Sequence, residues 1–116
     1  MAGLEQSLHT QHCNTKIPPH LLDEEQIKQF LEEIPQWNFS SGELSISRLF
    51  AFKNYFQVLA FVNAAAWIAH QENHHPDISF GYNKCTVLYS THSANGLTLF
   101  DFICAAKTDQ LLINEE

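Results

Sequence analysis

The hydrophobic pattern divides the chain into alternating helical and extended segments, beginning near residue 24. Asp23 is a suitable helix N-cap, and Gln26 occupies the capping-box position three residues later. An apolar face follows at helical spacing, formed by Ile27, Phe30, Leu31 and Ile34. Because Pro35 cannot continue a helix, the pattern predicts a short amphipathic helix that ends there.

Two strands are predicted in the next segment, WNFSSGELSISRLFAF, with a turn at residues 40–42. Apolar and polar residues alternate here as they do in a half-buried strand. The apolar positions are Leu44, Ile46 and, with a shift, Phe50 and Phe52.

The strongest helical signal runs from about Asn54 to Asn73, which is rich in alanine and contains no glycine or proline. Its apolar residues cover more than one stripe: Phe56, Leu59, Val62 and Ala66 share a face, while Tyr55, Val58, Phe61 and Ile68 spread around the helix. A helix that is apolar on most sides must be covered on most sides, and one sheet covers only one of them. We therefore predict contact with another subunit, which a charge at Phe61 would weaken. The alternative is that the first and last helices of the same chain cover it.

Beyond Pro76, two further strands are predicted at residues 78–82 and 85–91, around a turn at Asn83-Lys84. Alternatively, Gly81 marks a bulge in one longer strand. Thr98 can cap a last helix, with Asp101 as its capping-box partner, running to about Leu112. The order α-β-β-α-β-β-α predicts an α+β fold in which helices cover one face of an antiparallel sheet.

Residues 1–20 are polar, aperiodic and closed by two prolines, so we expect a flexible tail. Residues 21–116 then form a single domain. The tail's His9, His12, Cys13 and His20 could bind a metal, but we interpret their proximity as incidental.

Composition narrows the class of protein. A net charge of −7 with six scattered Lys and Arg argues against a nucleic-acid-binding surface. The longest apolar segment is too short to cross a bilayer, and the first twenty residues lack the apolar run of a secretory signal. Three widely spaced cysteines without a CxxC motif favour a reduced protein. We expect a cytoplasmic protein with no direct nucleic-acid or membrane contact.

Four of the seven histidines lie between Ala69 and His92, and three interpretations compete. His70 and His74 have the i, i+4 spacing of zinc ligands, to which His92 could add a third nitrogen. The motif is incomplete, however, because Gln71 stands where a metallohydrolase carries its glutamate base. Alternatively, the imidazoles interact with the last carbonyls and the dipole of the helix. This structural role at the helix end explains the presence of one histidine more easily than that of a cluster.

The third interpretation is acid–base chemistry without a metal. Imidazole has an unperturbed pKa of about 6.5, so neighbouring histidines can hold different protonation states near neutral pH. One histidine can then donate a proton while another accepts one, which is what elimination of water requires. The sequence contains no activated nucleophile, glycine-rich phosphate loop or Rossmann pattern that would favour another chemistry.

The spacing His70-x3-His74-His75-Pro76-x5-Tyr82-x9-His92-x8-Asp101 resembles the signature of the pterin-4a-carbinolamine dehydratases. That family couples NHHP to YNKCTVLYSTH and to a helix start like ANGLTLFD. The upstream stretch IPQWNFSSGELSISRLFAFKNYFQVLAFVNAAA is similar to the family's tryptophan strand, second strand and phenylalanine-rich helix. The resemblance covers about residues 21–112.

The resemblance implies a cytoplasmic enzyme that dehydrates 4a-hydroxytetrahydropterin to quinonoid dihydropterin. This step recycles the pterin after aromatic amino-acid hydroxylation, classically by phenylalanine hydroxylase. It also implies a four-stranded antiparallel sheet with helices on one face, assembly into homodimers or homotetramers through the long helix, and no metal or organic cofactor.

By position, the family's active-site histidines correspond to His74, His75 and His92. We expect His74 to be the main acid–base group and His75 to orient the pterin and share proton transfer. His92 would hold the hydroxyl or stabilise developing charge.

Three further residues complete the resemblance. Asp101 is expected to support the site structurally rather than transfer protons. Tyr82 is either a core residue or a wall for the pterin, and we favour the core. His70 stands where many relatives carry a carboxylate, so it is a supporting candidate that would change the local charge.

A binding function is the alternative. Some relatives of the family bind the dimerisation helix of a transcription factor and act as coactivators. The apolar long helix suits such a partner, with or without catalysis, although the same surface equally suits self-association.

Overall fold

The computed structural model describes residues 7–112, and within that range it contains three α-helices and four strands. They are α1 (Glu24–Leu31), β1 (Asn38–Ser40), β2 (Ser45–Ala51), α2 (Tyr55–Glu72), β3 (Asp77–Phe80), β4 (Lys84–Tyr89) and α3 (Leu99–Gln110). Short 3-10 turns lie at Leu8–Thr10 and His92–Ala94. The predicted order of helices and strands is confirmed.

The four strands form one antiparallel sheet in the order β1-β2-β4-β3. Alternate residues of β4 are buried, and in β2 Ile46 and Phe50 point to the same covered side. Val58 and Phe61 of α2 and Phe102 of α3 join these residues in the core. The predicted α+β layer, with helices covering one face of the sheet, is therefore confirmed.

Side chains at the helix ends explain where the helices begin and stop. Asp23 accepts a hydrogen bond from the Gln26 amide (2.8 Å) and its own amide donates to the Gln26 side chain (3.0 Å), completing the predicted capping box. Asn54 caps α2 by accepting from the Gln57 amide at 2.9 Å. At the other end Asn73 adopts the left-handed conformation, with φ of 53°. The predicted span of the long helix is thus confirmed.

Two predictions about individual positions were wrong. Leu44, predicted in a half-buried strand, is 44% exposed and has a left-handed φ of 52° in the turn before β2. Tyr82, favoured as a core residue, is 67% exposed in the connection between β3 and β4. Gly81 is part of that connection, where its amide donates to the Lys84 carbonyl at 2.9 Å, and it does not form a bulge. Leu44 was misplaced because the turn before β2 ends later than hydrophobicity alone indicates, and β2 begins only at Ser45. Tyr82 was misplaced because β3 already ends at Phe80, so the turn begins earlier than hydrophobicity indicates.

The part of the predicted tail that the structure describes lies against the helices. Leu8 is 3% exposed and belongs to the core, and the His9 carbonyl accepts from Lys107 of α3 at 3.0 Å. The Cys13 sulfur lies 3.8 Å from that of Cys104, also in α3. These contacts attach residues 8–13 to the domain, although their polar, aperiodic sequence predicts a separate tail. Residues 1–6 and 113–116 lie outside the described part, so the predicted domain limits stay predictions.

The outer side of α2 remains apolar and uncovered in the single chain. Its large side chains there include Phe56, 80% exposed, together with Tyr55, Leu59 and Trp67. The alternative that α1 and α3 cover this face is therefore wrong. Phe61 lies instead on the inner face, 5% exposed, with its ring 4.5 Å from that of Phe50. No helix between residues 7 and 112 is long and apolar enough to cross a membrane.

Candidate active site

The candidate site lies at one end of the β3–β4 hairpin. α2 ends at Glu72, and the His74 amide still donates to the Ala69 carbonyl at 3.1 Å before the chain enters β3. Asp77 of β3 pairs with Leu88 of β4 in antiparallel register. Residues that precede β3 and residues that follow β4 therefore emerge at the same end of the sheet. His74, His75 and His92 all belong to these two segments.

His74 is paired with Asp101, the third residue of α3. The His74 Nε2 atom lies 2.6 Å from Asp101 Oδ1, and the Asp101 side chain is completely buried. A buried carboxylate is costly unless its oxygens are hydrogen-bonded. Oδ2 accepts from the Thr91 hydroxyl at 2.8 Å and from the Thr98 amide at 2.9 Å. Both oxygens are thus occupied, and the carboxylate is held in one orientation.

Aromatic rings fix the plane of the His74 imidazole. The ring stacks on Tyr89 with a centroid separation of 5.8 Å and an interplanar angle of 6°. Phe100 packs edge-on against it, also at 5.8 Å. Burial raises the pKa of Tyr89 above its ordinary value, so its ring is neutral beneath the imidazole. With Nε2 directed at Asp101, Nδ1 is the nitrogen left for other chemistry.

This geometry defines what His74 can do. An ionised carboxylate only accepts hydrogen bonds, so Nε2 carries a proton and the neutral imidazole has its lone pair on Nδ1. That tautomer is assigned from the hydrogen-bond network. The imidazole can then accept a proton at Nδ1, and the imidazolium that forms is stabilised by the buried carboxylate.

His75 and His92 are both exposed at this end of the sheet. His92 begins the 3-10 turn that follows β4, inside a loop closed by a bridge between Thr91 and Gly96. An exposed imidazole can exchange protons with solvent or with a ligand. Their joint contact with a ligand stays a prediction.

Two predicted supporting residues lie away from the His74–Asp101 pair. The ring of His70 packs on Trp67 at 5.4 Å, and His70 lines a surface cavity of about 510 Å³ with Trp67, His12 and Lys107. His70 does not share a helical face with His74 because α2 stops at Glu72, between the two. Tyr82 sits at the opposite end of the hairpin, four strand residues from the site. At about 3.3 Å per residue, β3 alone separates them by roughly 13 Å.

Sequence reasoning missed Thr91, Tyr89 and Phe100. Strand alternation through Cys85 and Val87 marks Tyr89 as an inward residue, but spacing does not reveal that its ring lies under His74. The one feature of the sequence that could have drawn attention to Thr91 is its position directly before the candidate His92. Its bond to Asp101 depends on the path of the loop between them.

The described residues contain no cluster of side chains that could hold a metal ion. Within residues 7–112, no three histidine, cysteine, aspartate or glutamate side chains come together as metal ligands would. His12, a candidate ligand in the N-terminal segment, instead contacts Glu72 at 2.8 Å.

Comparison with known proteins points to one family. A family model described as "Pterin 4 alpha carbinolamine dehydratase" matches residues 20–111. A relative from Nitrosospira multiformis, provisionally named pterin-4-alpha-carbinolamine dehydratase, is 52% identical over 99 residues, spanning 85% of this chain and 84% of the relative. A relative of the same provisional name from Nitrosomonas eutropha is 50% identical and spans 88% of both chains.

Solved structures agree with these sequence relatives. A crystal structure from Brucella melitensis, described as a transcriptional coactivator/pterin dehydratase, is similar with a TM-score of 0.76 and 32% identity. It covers 79% of this chain and 98% of its own. A pterin dehydratase-like protein described as a RuBisCO assembly factor in the alpha-carboxysome matches with a TM-score of 0.58 and 25% identity, over 66% of this chain and 88% of its own.

Proposed function

The chain belongs to the pterin 4 alpha carbinolamine dehydratase family, and on this premise we propose that it dehydrates 4a-hydroxytetrahydropterin to quinonoid dihydropterin. The observation that carries the proposal is the His74–Asp101 pair. Its imidazole is fixed by a 2.6 Å hydrogen bond to a completely buried carboxylate and by stacking on Tyr89. Such a group is suited to moving protons without a metal.

The reaction requires two proton movements around neighbouring ring atoms. N5 loses its proton, and the electron pair of that N–H bond forms the C4a=N5 double bond. The C4a–O bond breaks as this bond forms, and the departing hydroxyl takes up a proton and leaves as water. One acceptor and one donor are therefore sufficient, and the overall reaction consumes no oxidant or reductant.

We assign the roles from the chemistry of each imidazole. His74 is the main acid–base group: its Nδ1 accepts the N5 proton while Asp101 stabilises the resulting imidazolium. His75 orients the pterin and shares proton transfer. His92 holds the hydroxyl or stabilises the charge that develops as the C4a–O bond breaks. Asp101 positions His74 and does not touch the substrate.

The cellular setting follows from the substrate. A 4a-hydroxypterin is formed when a pterin-dependent hydroxylase inserts one oxygen atom into an aromatic amino acid. We propose that the enzyme acts in the cytoplasm and returns the pterin to the cycle that serves phenylalanine hydroxylase or a related enzyme.

The test is dehydration of 4a-hydroxytetrahydropterin produced in the assay by a pterin-dependent hydroxylase. The wild-type protein should accelerate formation of quinonoid dihydropterin over the uncatalysed reaction. His74→Ala should lower kcat by about 100- to 10,000-fold, the range expected for loss of a general acid–base group. His9→Ala, which removes an imidazole that lines a different cavity with Glu33 and Asp109, is the matched control and should keep the wild-type rate.

Two results would contradict this proposal. A wild-type protein that does not exceed the uncatalysed rate would reject the dehydratase function. A His74→Ala variant with the wild-type rate would reject the role of His74 while leaving the reaction itself in place. Circular dichroism of the variant verifies that it remains folded.

The second candidate is a protein-binding function of the exposed α2 face. That face presents Phe56, Tyr55 and Trp67 to solvent, and the similar Brucella structure is described as a coactivator as well as a dehydratase. We propose self-association into a homodimer or homotetramer as its first use, because an isologous contact needs only a second copy of the chain. Binding of another protein's helix is the competing use of the same surface.

A further inference from the structure

The two oxygens of Asp101 face different partners, and both determine how His74 is held. Oδ1 accepts from His74 at 2.6 Å, whereas Oδ2 accepts from the Thr91 hydroxyl at 2.8 Å. A carboxylate bonded through one oxygen can rotate about its last torsion angle, which is broad. Bonds to Oδ2 prevent this rotation, so they also fix the direction of the hydrogen bond to His74.

The direction of the hydroxyl protons can be assigned. A hydroxyl has one proton, and that of Thr91 points to Asp101, because an ionised carboxylate only accepts. The 2.9 Å contact between the Thr91 and Thr98 hydroxyls must then be donated by Thr98. The resulting chain runs from Thr98 through Thr91 to Asp101. Both threonines are buried, and hydrogen bonds in such a chain strengthen one another.

The main chain of Thr91 has a separate function. Its amide donates to the Gly96 carbonyl at 3.0 Å, and its carbonyl accepts from the Ala94 and Gly96 amides at 3.1 and 3.3 Å. These bonds close the loop of residues 92–95, whose first residue is His92. The backbone that carries His92 is therefore tied to the residue whose side chain holds Asp101.

We propose that Thr91 is a positioning residue that aligns the two separate parts of the active site. Through its hydroxyl it orients Asp101 and hence His74; through its backbone it sets the position of the His92 loop. This inference rests on the proposed function for its effect on rate. The alignment of His74 by Thr91 is a property of the protein alone and can be measured without substrate.

The kinetic test compares valine and serine at position 91. Thr91→Val keeps the shape and β-branching but removes the hydroxyl, leaving Oδ2 with one donor fewer and the Thr98 hydroxyl without its acceptor. We expect kcat to fall about 10- to 100-fold, the scale of a small misplacement of a catalytic group, with KM nearly unchanged. Thr91→Ser retains the hydroxyl and should restore most of kcat. Thr86→Val, the same exchange on the outer face of β4, is the matched control and should keep the wild-type rate.

The second readout is the tautomer of His74, measured by nitrogen NMR of the imidazole. In the wild-type protein the neutral ring should carry its proton on Nε2. In Thr91→Val only the Thr98 amide still holds Oδ2, so the carboxylate is less firmly fixed and the Nδ1-protonated form should become more populated. Thr91→Ser should return the ring to the wild-type tautomer. A residue that merely stabilised the fold would lower stability without changing this ratio.

The outcomes separate the two proposals. A wild-type protein without dehydratase activity, but with the tautomer change in Thr91→Val, rejects the proposed function and supports the positioning by Thr91. Wild-type kcat and an unchanged tautomer in Thr91→Val reject the positioning role whatever the reaction. Should Thr91→Val fail to fold, Thr98→Val tests the same chain of hydrogen bonds, because it removes the hydroxyl that donates to Thr91. A loss of kcat, smaller than that expected for Thr91→Val, supports the inference. An unchanged kcat together with an unchanged tautomer opposes it.

Discussion

Glu72 and Asp101 are nearly or completely buried carboxylates that the protein uses for different purposes. Asp101 holds an imidazole of the proposed active site. Glu72 instead joins the N-terminal segment to the helices: it accepts from the Cys13 amide at 2.7 Å and contacts His12 at 2.8 Å, with Lys107 of α3 at 3.6 Å. Burial raises the pKa of Glu72, but these hydrogen bonds and positive charges outweigh it, so its pKa lies below the ordinary value.

Replacing Glu72 with glutamine should therefore destabilise the protein in a pH-dependent way. The variant retains the shape but loses the charge, and we expect the free energy of unfolding at pH 7 to fall by about 1–3 kcal/mol. A carboxyl whose pKa is lowered in the folded state stabilises it above its unfolded pKa, near 4.5, and this stabilisation is lost as the pH falls through the folded value. The stability difference between wild type and variant should shrink accordingly below pH 4.5.

Urea unfolding at several pH values measures this difference in the free energy of unfolding. A difference that stays constant down to pH 3 would show that the charge of Glu72 is unimportant for stability.

At the scale of the element, α2 determines where the site histidines lie. Its last residue is Glu72, and Asn73 turns the chain through the left-handed region, so that His74 leaves the helix and meets Asp101. An asparagine tolerates this conformation because its short polar side chain can bond locally, whereas a Cβ without such compensation is strained there. The end of one helix thus decides which histidine reaches the buried carboxylate.

Asn73 should consequently be sensitive to alanine and tolerant of glycine. Asn73→Ala retains the Cβ in the left-handed region and should lower the free energy of unfolding by about 1 kcal/mol. Asn73→Gly removes the Cβ and is the matched control, expected to match or exceed the wild-type stability. Denaturant unfolding of the two variants measures the difference. Equal stabilities for alanine and glycine would mean that the left-handed turn is not maintained in solution.

The same helix explains what could be predicted from sequence. Both ends of α2 and the start of α1 were predictable, because each depends on a cap within a few residues. The i, i+4 pairing of His70 with His74 failed because a single left-handed residue lies between them. The bonds from Thr91 to Asp101 and from Cys13 to Glu72 join separate elements, so no local pattern encodes them. Resemblance to a family supplied Asp101 as a site residue, but not its partners.

At the scale of the whole molecule, the exposed face of α2 is the feature that a single chain leaves unexplained. The inner face packs on the sheet through Val58, Phe61 and Ala65, all buried. The outer face presents Phe56 and Trp67, 80% and 59% exposed. Contiguous apolar residues of this size on a soluble protein mark an interaction site. A second copy would bury them without requiring any other partner.

A charge at Phe56 should therefore reduce the size of the assembly without unfolding the chain. We expect the wild-type protein to have the mass of a dimer or tetramer and Phe56→Asp to have a lower mass, because an aspartate buried between apolar faces has no partner for its charge. Helix content should be unchanged, since the Phe56 side chain contributes little to the core of its own chain. Ile17→Asp, at an apolar position of the N-terminal segment that is 59% exposed, is the control and should retain the wild-type mass. Sedimentation equilibrium measures all three. A monomeric wild-type protein would leave this face to a different partner, and a Phe56→Asp variant with the wild-type mass would place the subunit contact elsewhere.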